Sequence, residues 1–298
     1  MILFFLLSLT PFSADKVEII KEEGTSVIHL LGNVKIEDEN LKITCREASL
    51  HEVEDYVVLI DDVSIIDENG KIQAAFAIYY FDEKKGYLRD SVVLFTGSEI
   101  IRADSLYYDG VEELVQMFGK VMIEDKKNNL VAYGEQGWYN LSEDEGCLFK
   151  RPSLEIVREN KEPMKVKARE FKLLADSNKF LGFDSVTAVI DSITVYCDTF
   201  SFDLKEDHGT MLNPLILEKN NELRGETGTF KMKDKEIESF SVHRGWSTYY
   251  TDKGSKNTVE GEEINIVFRD GKAIKIIVNG EPNGVLRLKK KEEDAGNE

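Results

Sequence analysis

The stretch Val92-Val93-Leu94-Phe95-Thr96-Gly97-Ser98-Glu99-Ile100-Ile101-Arg102-Ala103-Asp104-Ser105-Leu106-Tyr107-Tyr108-Asp109 holds the pattern that decides the fold. A Val-x-Leu pair opens it at Val92 and Leu94, and an aliphatic-x-small pair follows at Ile101 and Ala103. Two polar residues then lead to a second apolar pair, Leu106 and Tyr108. Apolar residues two apart, rich in β-branched and aromatic types, mark strands with one face in a core. The step of three from Ala103 to Leu106 breaks that period, and a one-residue slip would turn the second pair outward. A β-bulge or sharp bend at the small residue returns both pairs to one face. A small side chain lets backbones approach closely there.

The pattern recurs along the chain. Val34, Val63, Val92 and Val121 lie 29 residues apart, paired with Ile36, Ile65, Leu94 and Ile123. The aliphatic-x-small signature follows at Ile43–Cys45, Ile72–Ala74, Ile101–Ala103 and Val131–Tyr133, where a bulky tyrosine takes the small place. It continues at Val166–Ala168, Val195–Cys197, Leu223–Gly225 and Val259–Gly261, with spacings of 29, 29, 30, 35, 29, 28 and 36. Eight repeats in register predict an all-β chain of about two strands of roughly ten residues per repeat. Turns such as Asp67-Glu68-Asn69-Gly70, Asp82-Glu83-Lys84-Lys85-Gly86 and Lys126-Lys127-Asn128-Asn129 separate the strands. No segment sustains the i, i+3, i+4, i+7 spacing of a helix behind a capping signature. The wider spacing around Pro152 and Pro163 divides repeats 1–4 (residues 15–151) from repeats 5–8 (152–288). A second irregular insertion, with Trp246, Tyr249 and Tyr250, is expected between His243 and Val259. The charged residues 289–298 read as a disordered tail.

Composition narrows the function. The chain has 298 residues, is 42% hydrophobic and carries a net charge of −18, which argues against a nucleic-acid partner because phosphate contacts need clustered Lys and Arg. Met1 to Phe12 form a short apolar run ending in Pro11, Phe12, Ser13 and Ala14 before Asp15 and Lys16. That run is shorter than the roughly 20 residues needed to cross a bilayer, so residues 1–14 read as a signal peptide and predict export. Cys45, Cys147 and Cys197 form no disulfide framework and no CxxC pair, and read as small buried apolar residues. His29, His51, His208 and His243 are dispersed, and the acid pairs Asp61–Asp62 and Glu262–Glu263 fall at turns or bends. With no nucleotide or hydrolase motif present, neither a catalytic residue, a metal nor a cofactor is expected.

Gly32-Asn33-Val34-Lys35-Ile36 followed by Ile43-Thr44-Cys45 resembles the OstA/LptA-type repeat of lipopolysaccharide-transport proteins. Gly119-Lys120-Val121-Met122-Ile123 repeats its first half, and Ile101-Arg102-Ala103-Asp104-Ser105-Leu106-Tyr107-Tyr108-Asp109 is similar to its second. The resemblance is best over residues 28–140 and continues in register from 164 to 288. It implies an elongated, folded-over β-jellyroll, open along one side, whose interior holds the acyl chains of a lipid. It further implies a non-catalytic periplasmic bridge between inner and outer membrane, carrying lipopolysaccharide or a similar acylated lipid and pairing by strand edges with similar jellyroll domains.

The apolar positions Tyr79, Leu106, Tyr108, Trp138, Phe171, Leu173, Phe200, Phe202, Phe230 and Ile264 fit an ordinary core. They fit equally a lining for acyl chains, each buried methylene contributing about 0.8 kcal/mol. Two other functions compete: a β-solenoid scaffold or adhesin with a closed core, and a β-helical polysaccharide enzyme, which needs an in-phase acid ladder. A linear stack of strands leaves two edges open to further strands. The first edge, expected around Val27 to Ile36, is poorly protected; the last, around Ile274 to Leu288, is partly guarded by Pro282 and Lys289–Lys291. Head-to-tail association through the first edge follows.

Overall fold

The computed structural model describes residues 11–288 apart from 23–24, 39–40, 52, 68–69, 97–98, 175–176, 252–253 and 270. The proposed signal run up to residue 10, two residues of the turn at 67–70 and the charged tail lie outside the described residues. Those residues form 24 strands and no α-helix. The chain divides into two units, one of residues 1–156 and 172–176, the other of 157–171 and 177–298.

The first unit begins with β1 (Phe12–Ser13), β2 (Lys16–Glu22), β3 (Thr25–Asp38), β4 (Leu41–His51), β5 (Tyr56–Asp67) and β6 (Gly70–Tyr80). It continues with β7 (Lys85–Thr96), β8 (Glu99–Asp109), β9 (Leu114–Asp125), β10 (Leu130–Asn140), β11 (Glu145–Phe149) and β12 (Ser153–Ile156). From β3 to β10 every strand pairs antiparallel with the next. At the far end β11 and β12 pair with opposite halves of β10. Two long strands per 29 residues is the spacing the repeat demands.

Each odd strand from β3 to β9 carries two consecutive left-handed residues just before its repeat's valine. They are Gly32-Asn33 (φ 74° and 47°), Asp61-Asp62 (57° and 53°), Asp90-Ser91 (66° and 64°) and Gly119-Lys120 (71° and 47°). Glycine, Asn and Asp enter this region most readily. Pairing skips at the same place: Leu31 faces Glu47 and Val34 faces Cys45, so Gly32-Asn33 oppose Arg46 alone. The bend therefore lies at the expected level of the strand, but its left-handed residues belong to the neighbouring strand. Cys45 and Ala48 are buried while Arg46 and Glu47 are exposed, which resolves the step of three.

Every bend divides a strand into two arms. The inward rows Leu30–Ala48–Leu59–Ala77–Leu88–Leu106–Met117 and Val34–Cys45–Val63–Ala74–Val92–Ala103 lie on opposite sides of the bends and are all buried. With only strands available, one arm covers the other, and a single cluster includes Leu30, Val34, Ile43, Leu59 and Leu88. At the outer tips of the arms, Asx-type turns close the hairpins. Asp109 Oδ1 accepts from the N–H groups of Val111 (3.0 Å) and Glu112 (3.2 Å), and Asn140 Oδ1 from Ser142 and Glu143 (2.9 Å each).

The fourth repeat corrects the sequence reading. Val121 pairs with Gly134, so Gly134 and not Tyr133 occupies the small position, and Tyr133 is exposed. The turn between β9 and β10 holds four residues, 126–129, whereas two residues separate β3 from β4, β5 from β6 and β7 from β8. The small position thus moves by two residues, not one. An even shift preserves which face each residue occupies; an odd one would invert it.

The second unit holds β13 (Met164–Lys167), β15 (Lys179–Ile190), β16 (Ile193–Asp203), β17 (His208–Leu212), β18 (Leu215–Glu218) and β19 (Asn221–Arg224), with β14 (Glu170–Leu174) lying at the boundary of the two units. β20 (Thr227–Lys233), β21 (Glu236–Tyr250), β22 (Lys256–Arg269), β23 (Lys272–Asn279) and β24 (Asn283–Arg287) complete it. Asp184-Ser185 (φ 65° and 56°), Asn213 (51°) and Arg244 (48°) mark its bends. The region from His243 to Val259 is no irregular insertion: β21 and β22 pair through it as far as Tyr250 opposite Lys256.

The first edge also differs from expectation. β3 is paired on both sides, with β1 and β2 on one and β4 on the other. Ile28 and Val34 are therefore interior to the ladder, and β2, with Val17 and Ile19 exposed, lies at the border.

All three cysteines are free and buried. Burial pushes the Cys45 thiol up to about 11 and the Cys197 thiol up to about 12. At pH 8 their thiolate fraction is about a hundredfold or more below that of an exposed cysteine. Iodoacetamide should accordingly leave Cys45 and Cys197 unmodified in the native protein and label both after denaturation without reductant. Rapid native labelling in intact-mass measurements would contradict the burial.

Candidate functional site

The candidate site is the space between the two arms. In the second unit its inward rows are set by register. One row runs Gly182–Phe200–Met211–Gly228–Val242–Ile264–Val278 and the next Phe180–Phe202–Gly209–Phe230–Phe240–Ile266–Ile276. Phenylalanine rings link across these rows: Phe180 to Phe200 at 5.8 Å, Phe200 to Phe230 at 5.2 Å, Phe202 to Phe230 at 5.5 Å, and Phe240 to Phe268 at 5.7 Å. Glycine makes room for them, since a side chain at Gly209 would enter the Phe230 ring.

Four of the candidate lining residues, Phe171, Phe200, Phe202 and Phe230, come together through Phe180 and are at most 2% exposed. Ile264 is fully buried in the adjoining row, and Leu173 is half-buried. In the first unit, Tyr79 and Leu106 belong to the buried cluster and Tyr108 packs against it. Trp138 is not brought to this space. It faces Gln116 and Cys147 across its strand neighbours, alternating with the inward Gly137 and Tyr139, and so lies on the opposite face. That misplacement follows from counting the fourth repeat from Tyr133.

The interior opens toward the last strands. From Phe240 through Ile266 to Ile276, and from Val242 through Ile264 to Val278, inward residues pass from buried to half-buried. There a cleft of about 290 Å³ runs between Ser247, Tyr249, Asn257 and Val259 on one arm and Ala273, Ile274, Lys275 and Ile276 on the other. This is near the lower end of the ~300–1,000 Å³ of small-molecule pockets. A smaller adjoining hollow, lined from Ile193, Ile216 and Leu223 to Ile266 and Phe268, carries the same apolar face inward. Repeat spacing did not reveal this cleft, since Ser247, Tyr249 and Asn257 fell in what looked like an insertion.

Hydrogen-bonded acidic residues brace the bends. Asn33 donates to Asp15 (2.8 Å), Arg46 to Asp62 (3.2 Å), Arg169 to Asp184 (2.7 Å), Asn213 to Asp198 (2.7 Å) and Arg244 to Glu226 (3.1 Å). These acids brace successive bends from outside and do not enter the interior. Among the described residues no group of His, Cys, Asp or Glu is arranged to hold a metal ion, and no helix is long and apolar enough to cross a membrane.

No curated protein matches the chain. Among solved structures, the chain aligns with LptH of Pseudomonas aeruginosa, described as the LptA-homologous periplasmic component of the conserved lipopolysaccharide transport device. Identity is 14%, coverage 45% of this chain and 74% of that one, and the TM-score 0.22. The family model described as OstA-like protein matches residues 10–161, more than half of the sequence. The chain belongs to the OstA-like protein family.

Proposed function

We propose that this protein is a non-catalytic periplasmic carrier that holds the acyl chains of lipopolysaccharide, or of a similarly acylated lipid, between its two arms. In this reading it passes the lipid between inner and outer membrane by pairing with similar jellyroll domains. The supporting observation is the apolar interior of an OstA-like chain that opens beside Val259 and Ile276. Each methylene taken from water there contributes about 0.8 kcal/mol, so burial of acyl chains supplies binding free energy without any cationic pocket. The net charge of −18 disfavours holding an anionic lipid by its headgroup, leaving the apolar part as the handle. Export belongs to the same reading: cleavage after Ala14 would remove β1 and leave β2 in place.

A photo-crosslinker at Val259 or Ile276 should capture lipid from the periplasm, and one at Asp198 or Lys231 should not. Native mass spectrometry should show the same lipid mass on the unmodified protein. The packed phenylalanines favour a second reading, a closed scaffold that binds proteins by its outer faces. Absence of lipid from both measurements would decide for the scaffold.

A further inference from the structure

Arg158 is the one charged residue that is buried among the described residues, yet it sits in a segment whose next four residues are exposed. Its partners come from three places. Its Nε and one terminal nitrogen donate to the Glu162 carbonyl (2.8 and 2.5 Å), closing residues 158–162 into a loop. Its two terminal nitrogens grip the Asp191 carboxylate (3.1 and 2.7 Å) as a bidentate pair. Glu236 lies 3.6 Å from the same guanidinium and also holds Lys161 at 2.5 Å. Lys235 Nζ donates to the Val157 carbonyl at 3.0 Å.

The topology gives these partners their meaning. Asp191 lies in the turn joining β15 to β16, at the tip of one arm, beside the buried Ile190 and Ile193. Lys235 and Glu236 lie at the turn joining β20 to β21, at the tip of the other arm, beside the buried Met232 and Ile237. One guanidinium therefore touches both tips, and the segment from Val157 to Glu162 spans the seam between the arms. At the other end of the same unit, the seam is the open cleft beside Tyr249 and Ile276.

We propose that residues 157–162 form an ionic clasp, centred on Arg158, that closes the side of the second unit and can release its two arm tips without unfolding the sheet. A continuous strand would have to break ladder hydrogen bonds to open. The clasp needs only to exchange side-chain partners for water. Hydrogen bonding to Arg158 holds the Asp191 carboxyl below its ordinary range, so the pair is charged in the closed clasp. Access to the apolar interior is then set at one end by the clasp and is unguarded at the other.

The test uses the full chain, and its readouts do not depend on which ligand the interior takes. Removing Arg158 would leave Asp191 and Glu236 without their shared partner, so the milder Asp191→Asn, alone and with Glu236→Gln, is the better variant. Hydrogen exchange read by mass spectrometry should quicken by roughly ten- to a hundredfold in the strap and in both tip turns, 190–193 and 233–237. Protection across Phe180, Phe202 and Phe230 should stay unchanged. Uptake of the neutral apolar dye N-phenyl-1-naphthylamine should become faster in the same variants. Exchange that quickens throughout the unit would make Arg158 part of the cooperative core and overturn the clasp. Unchanged exchange at 233–237 would show that the two tips are not tied. Local opening with unchanged dye uptake would refute its control of access.

Discussion

Replacing Phe230 by alanine is expected to cost the second unit about 3–5 kcal/mol. The ring is 2% exposed and touches Phe200, Phe202 and Phe240 at centroid distances of 5.2, 5.5 and 6.2 Å, so its loss leaves a cavity in contact with three aromatic neighbours. The complementary change, Gly209→Val, puts a branched side chain into the same ring and should also destabilise, by about 1–3 kcal/mol or more. The two tryptophans provide the measurement, since Trp138 lies in the first unit and Trp246 in the second. In a Trp138→Phe background, urea denaturation followed by Trp246 should show a markedly lower midpoint for both variants. An unmoved midpoint would mean that the phenylalanine rows are not the core of this unit. It would also strengthen the carrier reading, because rings that contribute little to stability are free to yield to a ligand.

Substitution of the bend tests conformation against charge. Asp61 and Asp62 are both left-handed, and each also approaches Arg46, at 3.6 and 3.2 Å. All three side chains are more than half exposed, so the ion pairs are worth at most about 1 kcal/mol. Left-handed backbone costs a residue with a branched Cβ roughly 1–2 kcal/mol. The double change Asp61→Val with Asp62→Val should therefore lose about 2–4 kcal/mol, whereas Asp61→Asn with Asp62→Asn should lose less than about 1 kcal/mol. Equal losses in urea titrations of the two double variants would mean that charge, not backbone conformation, holds the bend.

Much of the fold was present in local sequence. The period of two within Ile101-Arg102-Ala103 and the step of three to Leu106 are short-range signals, so strands, bends and a 29-residue repeat could be read directly. The level of the bend along the strand was legible from Cys45, Ala74 and Ala103, but the left-handed residues that make it, Gly32-Asn33, Asp61-Asp62 and Asp90-Ser91, lie on the neighbouring strand. The candidate interior was legible where repeats kept their spacing, as at Phe200 and Phe202.

Tertiary pairing decided the rest. Whether Tyr133 or Gly134 fills the small position depends on how many residues the preceding turn holds once Val121 has chosen its partner, and Trp138 changes face with that choice. The border of the first unit was decided by β2 docking onto β3, a pairing that no repeat signature marks. Phe180 joins Phe171 to Phe200 only when β15 and β16 align in register. Arg158 is an unremarkable charge in a loop until folding brings Asp191 and Glu236, 33 and 78 residues away, to its two sides. Periodicity fixes which way a side chain points along its own strand; which residues it meets depends on contacts far apart in the chain, and those exist only once the arms have closed.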